Sequence, residues 1–302
     1  MAKFRQNHTR HSKGNAFAAR AFIITIILVG ILLLGFVKIS SLLDSPSDKP
    51  SDNPATELDT FNVNPEGSSA ILIKHNYFNL GYNEKNEQAD WVAYKLTKKS
   101  IQVPNVPRAE RFNPDYDVHS RSAYHRDYTR SGYTRGHLAP AGDMAFNELA
   151  MQESFLMSNI SPQLSGFNGG IWRELEESVR DWAYDRGIIY ITTGPIFYSN
   201  TPKSIGENKV AVPDAFYKAI LDVNTPRQDA VAFIIPHAVS TEQLDAYMVP
   251  IDDLEALLGI DFFPHLYIDE NEEHQLESQL DKKVWPLNKK RYQKRINVWN
   301  KN

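Results

Sequence analysis

The pattern of apolar and polar positions divides the chain into stretches of different periodicity. Ala21 to Val37 (AFIITIILVGILLLGFV) is one uncharged, mostly apolar run without a polar period. Residues 44–69 are rich in Pro, Ser, Asp and Asn with no apolar period, so they read as an extended tether. AILIKHNYFNLGYN and QADWVAYKLT then concentrate β-branched and aromatic residues, the signature of strands. Residues 100–133 are mostly polar and read as long irregular loops, whereas NELAMQESFLM spaces its apolar residues as a helix does. A second helix is expected from about Gly170 to Arg186, because Trp172, Leu175, Val179 and Trp182 fall on one face and Gly187 suits a left-handed stop. GIIYITTGPIF and DAVAFIIPHA are short apolar runs suited to buried strands, the first ended by Gly-Pro, and VAVPDAFYKAILDV supplies another. A helix from Ile251 to Leu258 stops at Gly259. No internal repeat is visible, and the elements lack strict βαβ alternation. The fold class is therefore α+β, with a mixed, largely antiparallel sheet flanked by helices.

Composition narrows the chemistry. The 302 residues, 42% of them hydrophobic, suffice for one large core, and length alone permits two domains. With no cysteine, disulfides, thiolate metal sites and a cysteine nucleophile are excluded. A net charge of -4 gives no global positive field, so an anionic polymer would have to be met by a local basic patch. Lys3, Arg5, Arg10, Lys13 and Arg20 precede the apolar run, and no acidic residue occurs before Asp44. At ~1.5 Å per residue the run spans roughly 26 Å, near the hydrocarbon thickness, and Lys38 can snorkel to extend it towards Leu43. KISSLLD offers no small-x-small cleavage pattern. The expectation is a single-pass anchor with a cytoplasmic basic N-terminus at 1–20, a transmembrane helix at 21–43 and a flexible linker at 44–69. The folded domain at 70–268 would then be extracytoplasmic, followed by a basic tail at 269–302 read first as a solvated end, with a phosphate-seeking arm as the alternative.

The stretch SGYTRGHLAPAGDM places His137 beside Gly136, with Arg135 just upstream. A lone histidine is usually structural. Here Arg135 carries a permanent fork of donors suited to phosphate, and Gly136 is read as clearing space for a substrate at the backbone. The turn LAPAGD would leave His137 at a strand end facing a cleft. Downstream, Asn168 opens the expected helix and Glu176 follows eight residues on, about 80° around the axis and ~12 Å along it. The Glu176 side chain leans back towards Asn168, and an Asn oxygen is a hard ligand of the kind Mg²⁺ takes while keeping several waters. Taken alone, Asn168 would be a helix cap and Glu176 a solvated charge.

YTRGHLAPAGDM, MSNISPQLSGFNGGIWRELE, ITTGPIF, VAVPDAFYKAILD and GIDFFPHL occur in this order. Together they resemble the DNA/RNA non-specific endonucleases, which include the secreted bacterial sugar-non-specific nucleases and mitochondrial endonuclease G. The resemblance covers about Ala70 to Leu266. It implies a ββα-metal fold, with His137 as general base, Asn168 as sole protein ligand of Mg²⁺ (Mn²⁺ as a substitute) and Glu176 holding a water in the metal's shell. Asn159 and Gln163 would line and order the site, and Arg135 would contact the phosphate. A second arginine is expected in VPRAERFNPD, where Arg111 is preferred to Arg108. The family usually has aspartate where this chain has Thr134, which puts local hydrogen bonding in question. The implied activity is phosphodiester hydrolysis of DNA and RNA without sequence preference, giving 5′-phosphate ends. Arginines interleaved with Tyr124, Tyr128 and Tyr133 would suit backbone phosphates and stacked bases. A second reading is a membrane-anchored nucleic-acid-binding protein on the same fold with impaired catalysis. A protein inhibitor or a homo-oligomer stays open.

Overall fold

Strand β3 (Gln88–Thr97) is where the sheet's logic is clearest, because both of its faces are buried. Val92, Tyr94 and Leu96 point to one core, whereas Trp91 and Ala93 point to a second. Hence the run is apolar on both parities, as a central strand requires. The computed structural model describes residues 63–224, 228–267 and 269–301, all within one compact unit, Asn53–Asn302. Around β3 lie β1 (Ile71–Lys74), β2 (Asn79–Asn83), β6 (Ile188–Ile196), β9 (Ala215–Asp222), β10 (Asp229–Pro236) and β11 (Met248–Val249). They form a seven-stranded sheet in the order β1-β2-β3-β6-β9-β10-β11, with every neighbouring pair antiparallel. A mixed α+β architecture with a large antiparallel sheet is therefore observed. Strand β6 continues through Gly194 and Pro195, pairing Pro195 with Phe216, so Gly-Pro does not end it.

Helices cover the sheet. The main core gathers Ile189, Ile191, Phe216, Ile220, Val231 and Phe233 from the sheet against Trp172, Leu175, Val179 and Trp182. Those last four form the stripe expected from their spacing, and all are buried. Trp172 ends a π-helical turn, Asn168–Trp172, and the other three lie in α3 (Arg173–Arg186), into which the turn runs. Helix α3 stops at Gly187, whose φ of 94° admits few residues other than glycine. Two shorter helices precede it, α1 (Lys98–Gln102) and α2 (Glu148–Ser154). The opposite sheet face holds Trp91, Tyr217, Phe262 and Phe263 beside α4 (Ile251–Leu258), which ends at Gly259 as expected.

Outside the large sheet, β4 (Thr134–His137) pairs antiparallel with β5 (Ile160–Gln163), and β7 (Ser204–Ile205) with β8 (Val210–Ala211). The β4–β5 ribbon leans on two smaller clusters, one around Tyr128, Met157 and Ile160, the other around Ala145, Met151 and Phe155.

Two expected boundaries move. Val63 is buried and Glu66 exchanges backbone hydrogen bonds with Asp261, so folded structure begins inside the stretch assigned to the linker. The C-terminal segment is not a solvated tail either. After α5 (Glu270–Glu277), helix α6 (Lys289–Asn297) docks on α3 by burying Arg295 against Glu174. A buried pair of this kind holds because each charge finds its partner and Arg295 also donates to the carbonyls of Ser240 and Glu242. Among the described residues no helix is long and apolar enough to cross a membrane. The expected span, 21–43, lies outside the described residues, as does most of the linker.

Candidate active site

His137 ends β4, opposite Ile160. Its ring is 8% exposed and wedged between Phe155, 4.8 Å away edge-on, and Phe112 at 5.5 Å. It nevertheless lines a cavity of about 460 Å³, and its Nε2 has no hydrogen-bond partner among the described residues. Burial, reinforced by the Arg108 cation, pushes its pKa down to about 3, so the ring is neutral at pH 7. Arg135 lines the same cavity, with its guanidinium donating to the His125 carbonyl at 3.0 Å.

Gly136 has a different role from the one expected. A Cβ there would collide with the Gln163 side-chain amide, so the missing side chain makes room for Gln163 rather than for a ligand. Gln163 is fully buried and both its amide atoms lack hydrogen-bond partners. Asn159, also fully buried, accepts from the Ala139 amide at 2.9 Å and donates back to the Ala139 carbonyl at 3.0 Å. It thereby fixes the chain just beyond His137.

Asn168 reaches the cavity from the start of the π turn. Its Nδ2 donates to Thr134 Oγ1 at 3.1 Å, and Thr134 in turn donates to the Gln163 carbonyl at 2.9 Å. That relay fixes the amide so that its oxygen is the atom left without a protein donor. The π turn, with Gly170 at φ -103° and ψ -111°, breaks the regular 100° step on which the Asn168–Glu176 spacing was reckoned. Both residues line the cavity all the same. Burial raises the Glu176 carboxyl, opposed by the cations Arg180 and Lys218.

The cavity thus collects His137, Arg135, Asn168, Glu176 and Arg108, with Asn159 and Gln163 supporting it from behind. Arg111 is not among them. It faces a separate depression with Glu110, Glu148 and Gln152, while Arg108 stacks 4.9 Å over Phe155, the ring that also holds His137. Of the two arginines, Arg108 and not the preferred Arg111 lines the cavity. Of the tyrosines, Tyr128 is buried with its hydroxyl on the Ile160 carbonyl and offers no open stacking face, whereas Tyr124 and Tyr133 are half-buried.

Residues 58–267 match the family of DNA/RNA non-specific endonucleases. The chain belongs to that family. Human mitochondrial nuclease EXOG is 31% identical over 255 residues, 78% of this chain and 69% of that protein. The match covers 63% of the zebrafish (Danio rerio) EXOG. Human mitochondrial endonuclease G is 32% identical, over 66% of this chain and 71% of its own. Among solved structures, the EndoG/EndoGI complex superposes with a TM-score of 0.63 at 30% identity, covering 68% of this chain and 90% of that one.

Within this endonuclease chain, five polar residues near the site escaped the sequence reading. Arg173, Glu177 and Arg180 join Glu176 on the cavity face of α3, at spacings of three and four. Asp143 holds Arg180 at 2.7 Å and accepts from Tyr94 Oη at 2.8 Å. Lys218 is the most unusual. It is 0% exposed on β9, its Nζ has no hydrogen-bond partner among the described residues, and it lies 5.1 Å from the Trp172 ring. Burial lowers its pKa, while Glu176 and Asp143 oppose that shift. The available signal was a lysine inside an otherwise apolar run, AFYKAILD.

Proposed function

We propose that this chain is a metal-dependent, sequence-non-specific endonuclease that hydrolyses phosphodiester bonds of DNA and RNA. The observation that carries this reading is one cavity holding a neutral, unpartnered imidazole, a constrained amide oxygen and several arginines. The strand–strand–helix succession of β4, β5 and α3 supports the ββα-metal assignment.

The donor set fits a hard divalent ion. Among the described residues Asn168 Oδ1 has no donor from the protein, Glu176 lies on the same wall, and the chain has no cysteine thiolate. Mg²⁺, or Mn²⁺ in its place, would be held by Asn168 and would supply charge neutralisation at the phosphate. His137 takes a proton from the attacking water, since its ring is uncharged and its nitrogen is not already committed to the protein. Arg135 and Arg108 bind the phosphate oxygens. Glu176 orients water on the side opposite His137. The 5′-phosphate would stay with the released strand end. None of these contacts reads a base edge, which is why low sequence specificity is proposed.

Supercoiled plasmid incubated with Mg²⁺ tests the reading. Nicking that stops in EDTA is expected, whereas retarded but uncut plasmid would favour the binding protein without catalysis. A pH profile tests the electrostatics of His137. Arg108→Gln removes a like charge, raises the pKa of the ring, and so moves the acid limb of kcat/KM to higher pH. A limb that stays in place would show that burial alone sets the ring's proton affinity.

The anchored topology is likewise a proposal, supported by the apolar run and its basic flank.

A further inference from the structure

The C-terminal segment holds eight basic residues and no acidic one after Asp281, in a chain of net charge -4. The structure divides these residues into two groups. The arginines are consumed by α3: Arg295 by Glu174, and Arg291 by Glu177 at 3.0 Å and Asp181 at 2.9 Å. The lysines are not. Lys289, Lys290, Lys294 and Lys301 are exposed, and none forms an ion pair among the described residues.

Their placement relative to the cavity is fixed. Lys290 and Lys294 are four residues apart on α6 and share a face. Lys294 Nζ lies 5.4 Å from the Trp299 ring, and Arg173 Cζ lies 4.2 Å from the same ring. Arg173 lines the cavity. Arg173 also pairs with Glu177 at 2.9 Å, a carboxylate that Arg291 shares, so two cations stand against one anion there. Basic side chains therefore run from the cavity wall at Arg173 to Lys294 and on to Lys290. The short helical turn Trp299–Lys301 packs against the Asn168 turn. There the Asn300 amide donates to the Ser240 carbonyl at 2.8 Å, and its oxygen occupies the space a Cβ on Gly170 would need.

We propose that Lys290, Lys294 and Lys301 form a second phosphate-binding surface, continuous with the cavity through Arg173, across which the backbone of a longer nucleic acid lies. The inference rests on the nuclease reading above. Charge complementarity and continuity with the cavity identify the occupant. Helix α6 extends ~13 Å, and a duplex presents one phosphate charge per ~1.7 Å of axis, so several phosphates pass within its reach. Lysine supplies a mobile point charge, suited to a backbone and indifferent to sequence.

The test uses the full chain and the triple variant Lys290→Gln, Lys294→Gln, Lys301→Gln on two substrates. One is a single strand of thirty or more nucleotides. The other is thymidine 5′-(p-nitrophenyl phosphate), a diester too short to extend from the cavity to α6. The expected result is a KM for the long strand raised about tenfold, with the salt slope of log KM reduced by about two. Turnover of the short diester should change less than twofold. Equal effects on both substrates, or none on the long strand, overturn the proposal. Should the unmodified protein cut neither substrate, the nuclease reading fails. Binding of the long strand in EDTA then decides the surface separately: weaker binding by the variant supports it, and unchanged binding overturns it.

Discussion

Replacing His137 by alanine should lower the rate of plasmid nicking by a factor of about 10²–10⁴, the range lost with a general base. Its ring is held in a state useful for that task. Burial and Arg108 keep it unprotonated far below neutral pH, and its Nε2 is left without a protein partner. An unsatisfied buried nitrogen costs about 1–3 kcal/mol, so its presence has no evident benefit to folding. Approach of an anionic phosphate would offset the Arg108 charge and raise the proton affinity of the ring when a proton must be taken. Because alanine also leaves a gap beside Phe112 and Phe155, His137→Gln is the companion variant. It fills most of the space but offers no imidazole. Thermal melting of both variants separates a lost base from a lost fold. If His137→Gln nicked plasmid at more than a tenth of the normal rate while folded, another group must be the base.

The second large effect is expected at Asn168. Asn168→Ala should reduce turnover about 100-fold at millimolar Mg²⁺, part of which more Mg²⁺ would restore. The residue is half-buried on a turn rather than in the core, so melting should scarcely change. Thr134→Val, which keeps size and removes the relay to Gln163, should give a smaller loss of the same kind. The decisive measurement is rate against Mg²⁺ concentration. An Asn168→Ala curve that overlays the unmodified one at limiting Mg²⁺ would place the ion elsewhere.

Much of this arrangement was legible in the sequence because periodicity reports burial directly. The stripe from Trp172 to Trp182, the strand in QADWVAYKLT and the Gly259 stop are each consequences of local geometry. What escaped depends on partners distant in the chain. The close fit at Gly136 is set by Gln163 across the ribbon, so the glycine alone could not reveal what fills its space. Arg108 and Arg111 differ by three residues in a loop without period, and only the fold puts one over Phe155 and the other in a separate depression. Charge runs mislead similarly. The terminal arginines looked solvated until Glu174, Glu177 and Asp181 were brought beneath them. Lys218 shows the reverse case, a charge whose burial follows from being in the middle of a sheet.

The two walls of the cavity rest on different foundations. His137 is braced by the small Phe112–Phe155 cluster beside the ribbon, whereas α3 is bedded in the main core through Trp172, Leu175 and Val179. The span between them is bridged by a seam of polar contacts, where Asn168 meets Thr134 and where Arg180 of α3 pairs with Asp143 at 2.7 Å. Alignment is thus a property of that seam more than of bulk cohesion. A slight tilt of the ribbon would spoil registry between the walls while every large side chain of the interior stayed seated.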